Sequence, residues 1–371
     1  MELDLVKFLL VGVVAALGSG LTVPFFRKFA SKQGAEVLPT ERGVHLAPTP
    51  TLGGGAMFVG FLLAMLVASV SGWFPEAFSG TSEPFAVVAC GIIAYGVGVL
   101  DDLRDISAPA KTMGLVLAGS ALYFGGVSII YFRIPFVDPI IVDPGLAYLL
   151  TVLWVMGMAN AVNFIDGLDG LAAGIVGIGA LAFFFYAVKL LEVGLLISTL
   201  GPLLLITVFG ICVGFLPYNV HPAQIFMGDG GALLLGTLMA ASTMAVGGRT
   251  RDPFSGQTFF FYAPLVIPLV ILGVPILDTI FAIVRRATRR QGLATADKDH
   301  LHHRLMRLGH GHGRSVFILW AWTALLSGFV LWPVYNEGSG DAIVPVGVAA
   351  LSLVLFTIFA PGIWRPDGGQ T

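Results

Sequence analysis

Charged residues are scarce in this sequence: 11% of its 371 residues are Asp, Glu, Lys or Arg. Soluble domains carry about 25%, so a water-exposed globular surface cannot be assembled from this composition. Neither sign is in excess. Twenty basic and 22 acidic residues leave a net charge of −2, which gives no support for a nucleic-acid partner. Cysteine is nearly absent, and Cys90 and Cys212 both fall inside apolar runs, so they specify neither a disulfide nor a metal site. No GxxxxGK[ST] string occurs, which excludes a P-loop nucleotidase. Fixed-period repeats and low-complexity segments are missing too. No stretch between apolar runs is long enough for a separate folded domain, so a single membrane domain over 1–371 is expected.

Apolar residues fill the gap, at 56% of the chain. Runs able to cross a hydrocarbon core of about 30 Å lie near 4–26, 52–72, 84–100, 111–128, 145–162, 170–191, 194–216, 230–247, 258–284, 315–333 and 342–361. Barrel strands would alternate apolar and polar residues, and Leu200–Val213 does not. The expectation is an all-α polytopic membrane protein with about 11 spans. Basic residues orient it. With the amino terminus outside and the carboxyl terminus cytoplasmic, fifteen Lys and Arg face the cytoplasm and five face outward. Glu2 and Asp4 before the first span, with Arg27-Lys28 after it, argue against a cleaved signal peptide. Tyr131–Asp143, on the outer side, reads as a small hairpin.

Five polar stretches interrupt the apolar background: His45–Gly55, Asp101–Lys111, Asn163–Gly170, Asn219–Gly231 and Arg285–Arg314. Each follows an odd-numbered span, so all five must share one face, and the basic bias makes that face cytoplasmic. Catalytic loops are therefore expected at about 27–51, 101–111, 163–170, 217–231 and 285–314.

Asp101 and Asp102 close the third span, where adjacent carboxylates repel unless a cation or proton lies between them. The blander alternative is interfacial anchoring. In NFIDGLDG, Asn163, Asp166 and Asp169 recur every three residues and would share one side of a helical turn. Gly167 and Gly170 would let a ligand approach the backbone, unless the string is only a polar turn. In NVHPAQIFMGDGG, Asp229 sits in a glycine-rich turn before a helix expected to begin at Ala232. That arrangement suits a magnesium-bound phosphate, with Asp229 on the metal and helix N–H groups facing the anion. His300, His302 and His303 lack the HExxH or Cys-rich spacing of zinc sites and read better as cations beside phosphate. Arg285, Arg286, Arg289 and Arg290 serve either as anchors or as substrate contacts, and Asp278 in the ninth run needs a partner such as Arg285 or Arg286.

HLAPTPTLGG, LDDLRD, NAVNFIDGLDG, NVHPAQIFMGDGG and DKDHLHHRL together resemble the polyprenyl-phosphate N-acetylhexosamine-1-phosphate transferase family, in order and spacing. The resemblance implies a bacterial inner-membrane enzyme with a cytoplasmic active site. It would transfer a sugar-1-phosphate from a UDP-sugar to undecaprenyl or decaprenyl phosphate, releasing UMP and requiring Mg2+, with Mn2+ as a substitute. HLHHRL with Pro275 and Asp278 is similar to the UDP-N-acetylglucosamine branch. The phospho-N-acetylmuramoyl-pentapeptide transferases instead carry an HHHFEL-like string, and they are the alternative. An anion transporter is the remote one, since transporters bind near the bilayer midplane. By resemblance, Asp229 and Asp102 hold the metal, Asp101 or Asp102 deprotonates or positions the lipid phosphate, and His302, His303 and Arg304 act on the diphosphate or sugar. Asn163, Asp166, Gly167, Leu168, Asp169, Asn219 and Phe226 would form the uridine side, with His45, Arg285, Arg286 and His300 as further substrate contacts. Both single displacement and an aspartyl two-step route stay open, and the family resemblance leaves room for a homodimer.

Overall fold

A computed structural model describes residues 4–37, 48–129, 131–132, 140–247, 305–306, 308–336 and 343–363. The expected span 258–284, Asp278, His45, Arg285, Arg286, Arg289, Arg290, His300, His302, His303 and Arg304 lie outside the described residues.

The described chain is helical, in the order α1 (Leu5–Gln33), α2 (Gly54–Val70), α3 (Pro75–Phe78), α4 (Glu83–Arg104), α5 (Ala108–Phe124), α6 (Pro144–Ile165), α7 (Leu171–Glu192), α8 (Leu200–Asn219), α9 (Gly228–Gly247), α10 (His312–Tyr335) and α11 (Ile343–Ile363). Local chemistry sets the boundaries. Asp4 accepts the Val6 N–H and starts α1, while Gly34 in the left-handed region ends it by donating its N–H to Ala30 and Ser31 carbonyls. Asp143 takes the Gly145 and Leu146 N–H groups, and Pro144 occupies the first turn of α6, where its missing donor is not needed.

Seven helices among the described residues are long and apolar enough to cross a membrane: α1, α4, α6, α7, α8, α9 and α10 up to Trp332. Seven of the eleven expected spans are thus met at full length among the described residues. Helices α2 and α5, in the runs 52–72 and 111–128, have 17 residues each, or about 25 Å at 1.5 Å per residue, at the lower end of the length that spans need. Helix α11, in the last expected run, has 21 residues.

Helix α9 is the hub, packing against α2, α4, α6 and α8. Nearly all of its residues are buried, whereas α1 turns Leu9, Leu17, Leu21 and Phe25 outward. An outward apolar face is what a lipid surround requires. Close approach at the hub depends on small residues. A Cβ on Gly98 of α4 would fall 2.5 Å from the Asp229 carbonyl oxygen at the start of α9. Two short antiparallel pairs complete the architecture. β3–β4 pairs Tyr131 with Ile141 and Phe132 with Ile140, in line with the hairpin expected there. β1–β2 pairs Glu36 with Pro50 and Val37 with Thr49, and was not anticipated.

Candidate active site

All five polar stretches have described members at one end of the bundle. Phe226 donates its N–H to the Pro50 carbonyl, and Gly53 and Gly54 donate theirs to Phe226 and Met227, so the first and fourth stretches are laced together. Asn219 accepts the Gly170 N–H at 3.0 Å, joining the third and fourth. His312, from the fifth, lies 3.8 Å from Asp169.

The acidic centre forms where α4 ends and α9 begins. Asp102 Oδ1 accepts the Asp229 N–H at 2.9 Å, and its Oδ2 accepts the Gly230 N–H at 3.0 Å. Helix α9 starts at Gly228 rather than at Ala232, so Asp229 occupies its first turn. The expectation that these N–H groups face a phosphate is corrected accordingly. Unsatisfied donors at a helix start attract the nearest anion, and here that is the Asp102 carboxylate.

Asp101, one residue earlier, points elsewhere. Its Oδ1 accepts the Ile106 N–H at 3.0 Å, and its Oδ2 receives the Lys111 ammonium at 2.8 Å. Lys111 also pairs with Asp229 Oδ2. With the Asn163 amide oriented to suit its neighbours, its oxygen accepts from Lys111 at 3.2 Å and its nitrogen donates to Asp229 Oδ1 at 3.0 Å. In the sequence Lys111 is one of the fifteen inner-face cations and nothing more. Its signal was position: it stands ten residues after Asp101, across a turn tight enough for α5 to run back beside α4.

Asn163, Asp166 and Asp169 do not share one helical side, because α6 stops at Ile165 and Asp166 is its C-cap. Asp166 faces the acidic centre. Its side chain keeps some exposure, yet the protein around it is dense enough to act as burial. That burial, with the charges of Asp229, Asp102 and Asp169, pushes its carboxyl up to about 8. Asp169 is buried and turns the other way, accepting from His221 Nδ1 at 2.7 Å and from the Ala223 N–H at 3.1 Å.

Of the other expected uridine-side residues, Leu168 is buried in the apolar core and Gly167 is exposed. Asn219 is buried, and both ends of its amide hold main chain, the nitrogen donating to the Ile225 carbonyl at 3.0 Å. Phe226 is half-buried, its main chain bound to the first stretch.

Among the described residues the centre thus joins Asp101, Asp102, Asp166 and Asp229 with the Lys111 ammonium. An oxygen-only donor set with excess negative charge is the chemistry that holds a hard divalent cation such as Mg2+, so these residues fit the ion that the motifs imply.

Residues 84–247 match glycosyl transferase family 4. The chain is 36% identical over 367 residues to a decaprenyl-phosphate N-acetylglucosaminephosphotransferase of Mycolicibacterium smegmatis, covering 97% of this chain and 90% of that one. The chain belongs to glycosyl transferase family 4. A probable undecaprenyl-phosphate N-acetylglucosaminyl 1-phosphate transferase of Bacillus subtilis is 38% identical over 352 residues, covering 94% of this chain and 88% of its own. A phospho-N-acetylmuramoyl-pentapeptide-transferase of Staphylococcus aureus is more distant, at 28% over 303 residues, covering 76% and 84%. Membership of family 4 agrees with the motif resemblance, and the match over 84–247 contains the whole acidic centre.

Proposed function

We propose that the protein transfers N-acetylglucosamine-1-phosphate from UDP-N-acetylglucosamine to a polyprenyl phosphate at the cytoplasmic membrane surface. UMP and polyprenyl-diphosphate-N-acetylglucosamine are the products, as a first membrane step of cell-envelope polysaccharide assembly. The carrying observation is the Asp101–Lys111–Asp229–Asn163 network at one end of a helical bundle. It stands in a chain whose relatives at 36–38% identity bear that activity in their names. The greater distance of the pentapeptide transferase disfavours the muramoyl reading. An anion transporter is disfavoured by polar groups that gather at the helix ends rather than at mid-depth.

Asp229 and Asp166 are the carboxylates suited to hold Mg2+, which when bound neutralises the donor diphosphate and improves UMP as a leaving group. Asp102, expected as a metal neighbour, acts here as a positioning residue that fixes the Asp229 main chain. Asp101, half-buried at the rim, takes the proton of the lipid phosphate monoester. The freed phosphate oxygen attacks the β-phosphorus, its new P–O bond forming as the bond to the UMP oxygen breaks. Lys111 lies against both acids and can follow the negative charge onto the phosphates. No covalent enzyme intermediate is required. Gly167 and Phe226 line the uridine side, and His302, His303 and Arg304 act on the sugar diphosphate.

The test is UMP release by purified protein with Mg2+, decaprenyl phosphate and either donor. Turnover of UDP-N-acetylglucosamine well above UDP-N-acetylmuramoyl-pentapeptide is expected. The reverse preference would move the protein to the other branch, and no UMP from either donor would overturn the reading.

A further inference from the structure

Three described residues outside the acidic centre bring metal-ligand atoms together from three separate parts of the chain. Asp169 comes from the α6–α7 turn, His221 from the α8–α9 loop, and His312 from the first residue of α10. Their donor atoms all lie within 4.8 Å of one another. Asp169 Oδ2 is 2.7 Å from His221 Nδ1 and 3.8 Å from His312 Nε2. The two imidazoles face each other with ring centres 4.3 Å apart.

We propose that Asp169, His221 and His312 form a binding site for a transition-metal ion of the zinc class, distinct from the Mg2+ centre. Tetrahedral zinc with bonds of about 2.0–2.1 Å separates its ligand atoms by about 3.3 Å. The observed separations bracket that value. Two imidazoles and one carboxylate suit zinc, cobalt or nickel, whereas Mg2+ and Ca2+ take oxygen ligands. Three protein ligands leave a fourth position for water. Asp169 and His312 are buried, with side chains 3% and 7% exposed, while His221 is 37% exposed and gives the ion its way in.

Supporting contacts are already in place. The Ala223 N–H holds the Asp169 carboxylate, as outer partners of metal ligands do. Helix α10 packs on α7, where Trp320 Nε1 donates to the Leu171 carbonyl at 3.4 Å and sets the position of His312. On binding, coordination replaces the His221–Asp169 hydrogen bond, and the His221 ring proton resides on Nε2, toward solvent. The ion would tie the start of α10 to the turn that carries Asp166 and to the loop that follows Asn219.

The experiment counts metal in the purified full-length protein, stripped with chelator, equilibrated with Zn2+ and washed. Wild type is compared with His312→Ala and with a triple His300→Ala, His302→Ala, His303→Ala variant, which removes three other imidazoles of the same stretch. One equivalent of zinc in wild type and triple variant, and none in His312→Ala, is expected. A zinc-dependent rise in melting temperature should follow the same pattern. Equal zinc in wild type and His312→Ala, or zinc lost only in the triple variant, would overturn the proposal. Should His312→Ala fail to fold, His312→Gln takes its place. Wild type loaded with Co2+ must also show the absorption of a four-coordinate site, and its absence refutes the assignment. Because no readout uses UMP formation, failure here is distinguishable from failure of the proposed transferase activity.

Discussion

The Asp102 carboxylate caps the helix that begins around Asp229. One oxygen takes the Asp229 N–H at 2.9 Å and the other takes the Gly230 N–H at 3.0 Å. Asp101 contacts neither, and pairs with Lys111 instead. Two adjacent carboxylates therefore have different tasks, and their neutral variants should fail differently. Asp102→Asn leaves one N–H facing an amide NH2, so it should lower the melting temperature and reduce activity at every pH. Loss of a helix cap costs about 0.5–2 kcal/mol. Asp101→Asn can keep the Ile106 N–H bond through its amide oxygen while Lys111 retains Asp229, so the melting temperature should fall less and turnover should fall about 10²–10⁴-fold. Its activity should partly recover as rising pH ionises the lipid phosphate unaided. Matching melting curves and matching pH–rate profiles for the two variants would refute this division.

Lys111 is the single described cation between Asp101 and Asp229. Lys111→Met leaves the two carboxylates facing each other without it, an unfavourable pairing that a divalent ion relieves. Turnover should fall by at least about tenfold through lost charge stabilisation, while half-maximal activity should be reached at lower Mg2+. A variant that needs more Mg2+ than wild type would show that Lys111 assists metal binding rather than competing with it.

Much of this arrangement was legible before the coordinates because span parity is a global constraint. Alternating crossings had to bring Asp101, Asn163, Asn219 and His312 to one end, whatever their local structure. Hairpin and cap chemistry at Asp143-Pro144 is local and equally readable. What escaped was pairing between side chains on different helices. Nothing near Lys111 in the chain announces Asp229, 118 residues away. Likewise, His221 and His312 acquire a shared partner only when α10 packs on α7. The start of α9 lies earlier than the sequence suggests because GDGG reads as a turn, whereas Asp102 supplies from α4 the cap that lets the helix begin at Gly228.

The raised carboxyl of Asp166 makes stability depend on pH. Burial, with the charges of Asp229, Asp102 and Asp169, pushes it up to about 8 from 3.8, so the folded state holds the proton more tightly. Its contribution is complete below about pH 4 and is lost as pH rises toward 8. Wild type should therefore lose melting temperature between pH 5 and 8.5 more steeply than Asp166→Asn, and Mg2+ should flatten the wild-type curve. Parallel curves for the two proteins in chelator would show that burial and neighbouring acids do not hold that proton.

Gly228 gives the sharpest steric test of the centre. Its φ is 68°, and a Cβ there would lie 2.6 Å from both Asp102 Oδ2 and Thr51 Oγ1. Gly72 has nearly the same φ, 67°, with nothing within 4 Å of its would-be Cβ. Alanine at either site meets the left-handed backbone penalty of about 1–2 kcal/mol. Only at 228 does it also push the Asp102 carboxylate off the start of α9. Gly72→Ala should thus show a small fall in melting temperature and wild-type turnover. Gly228→Ala should insert into membranes but lose roughly 100-fold in activity, since displacement of a positioning group by about 1 Å has that scale of effect. Equal activity in the two variants would mean that the Asp102–Asp229 contact does not set the geometry of the reaction.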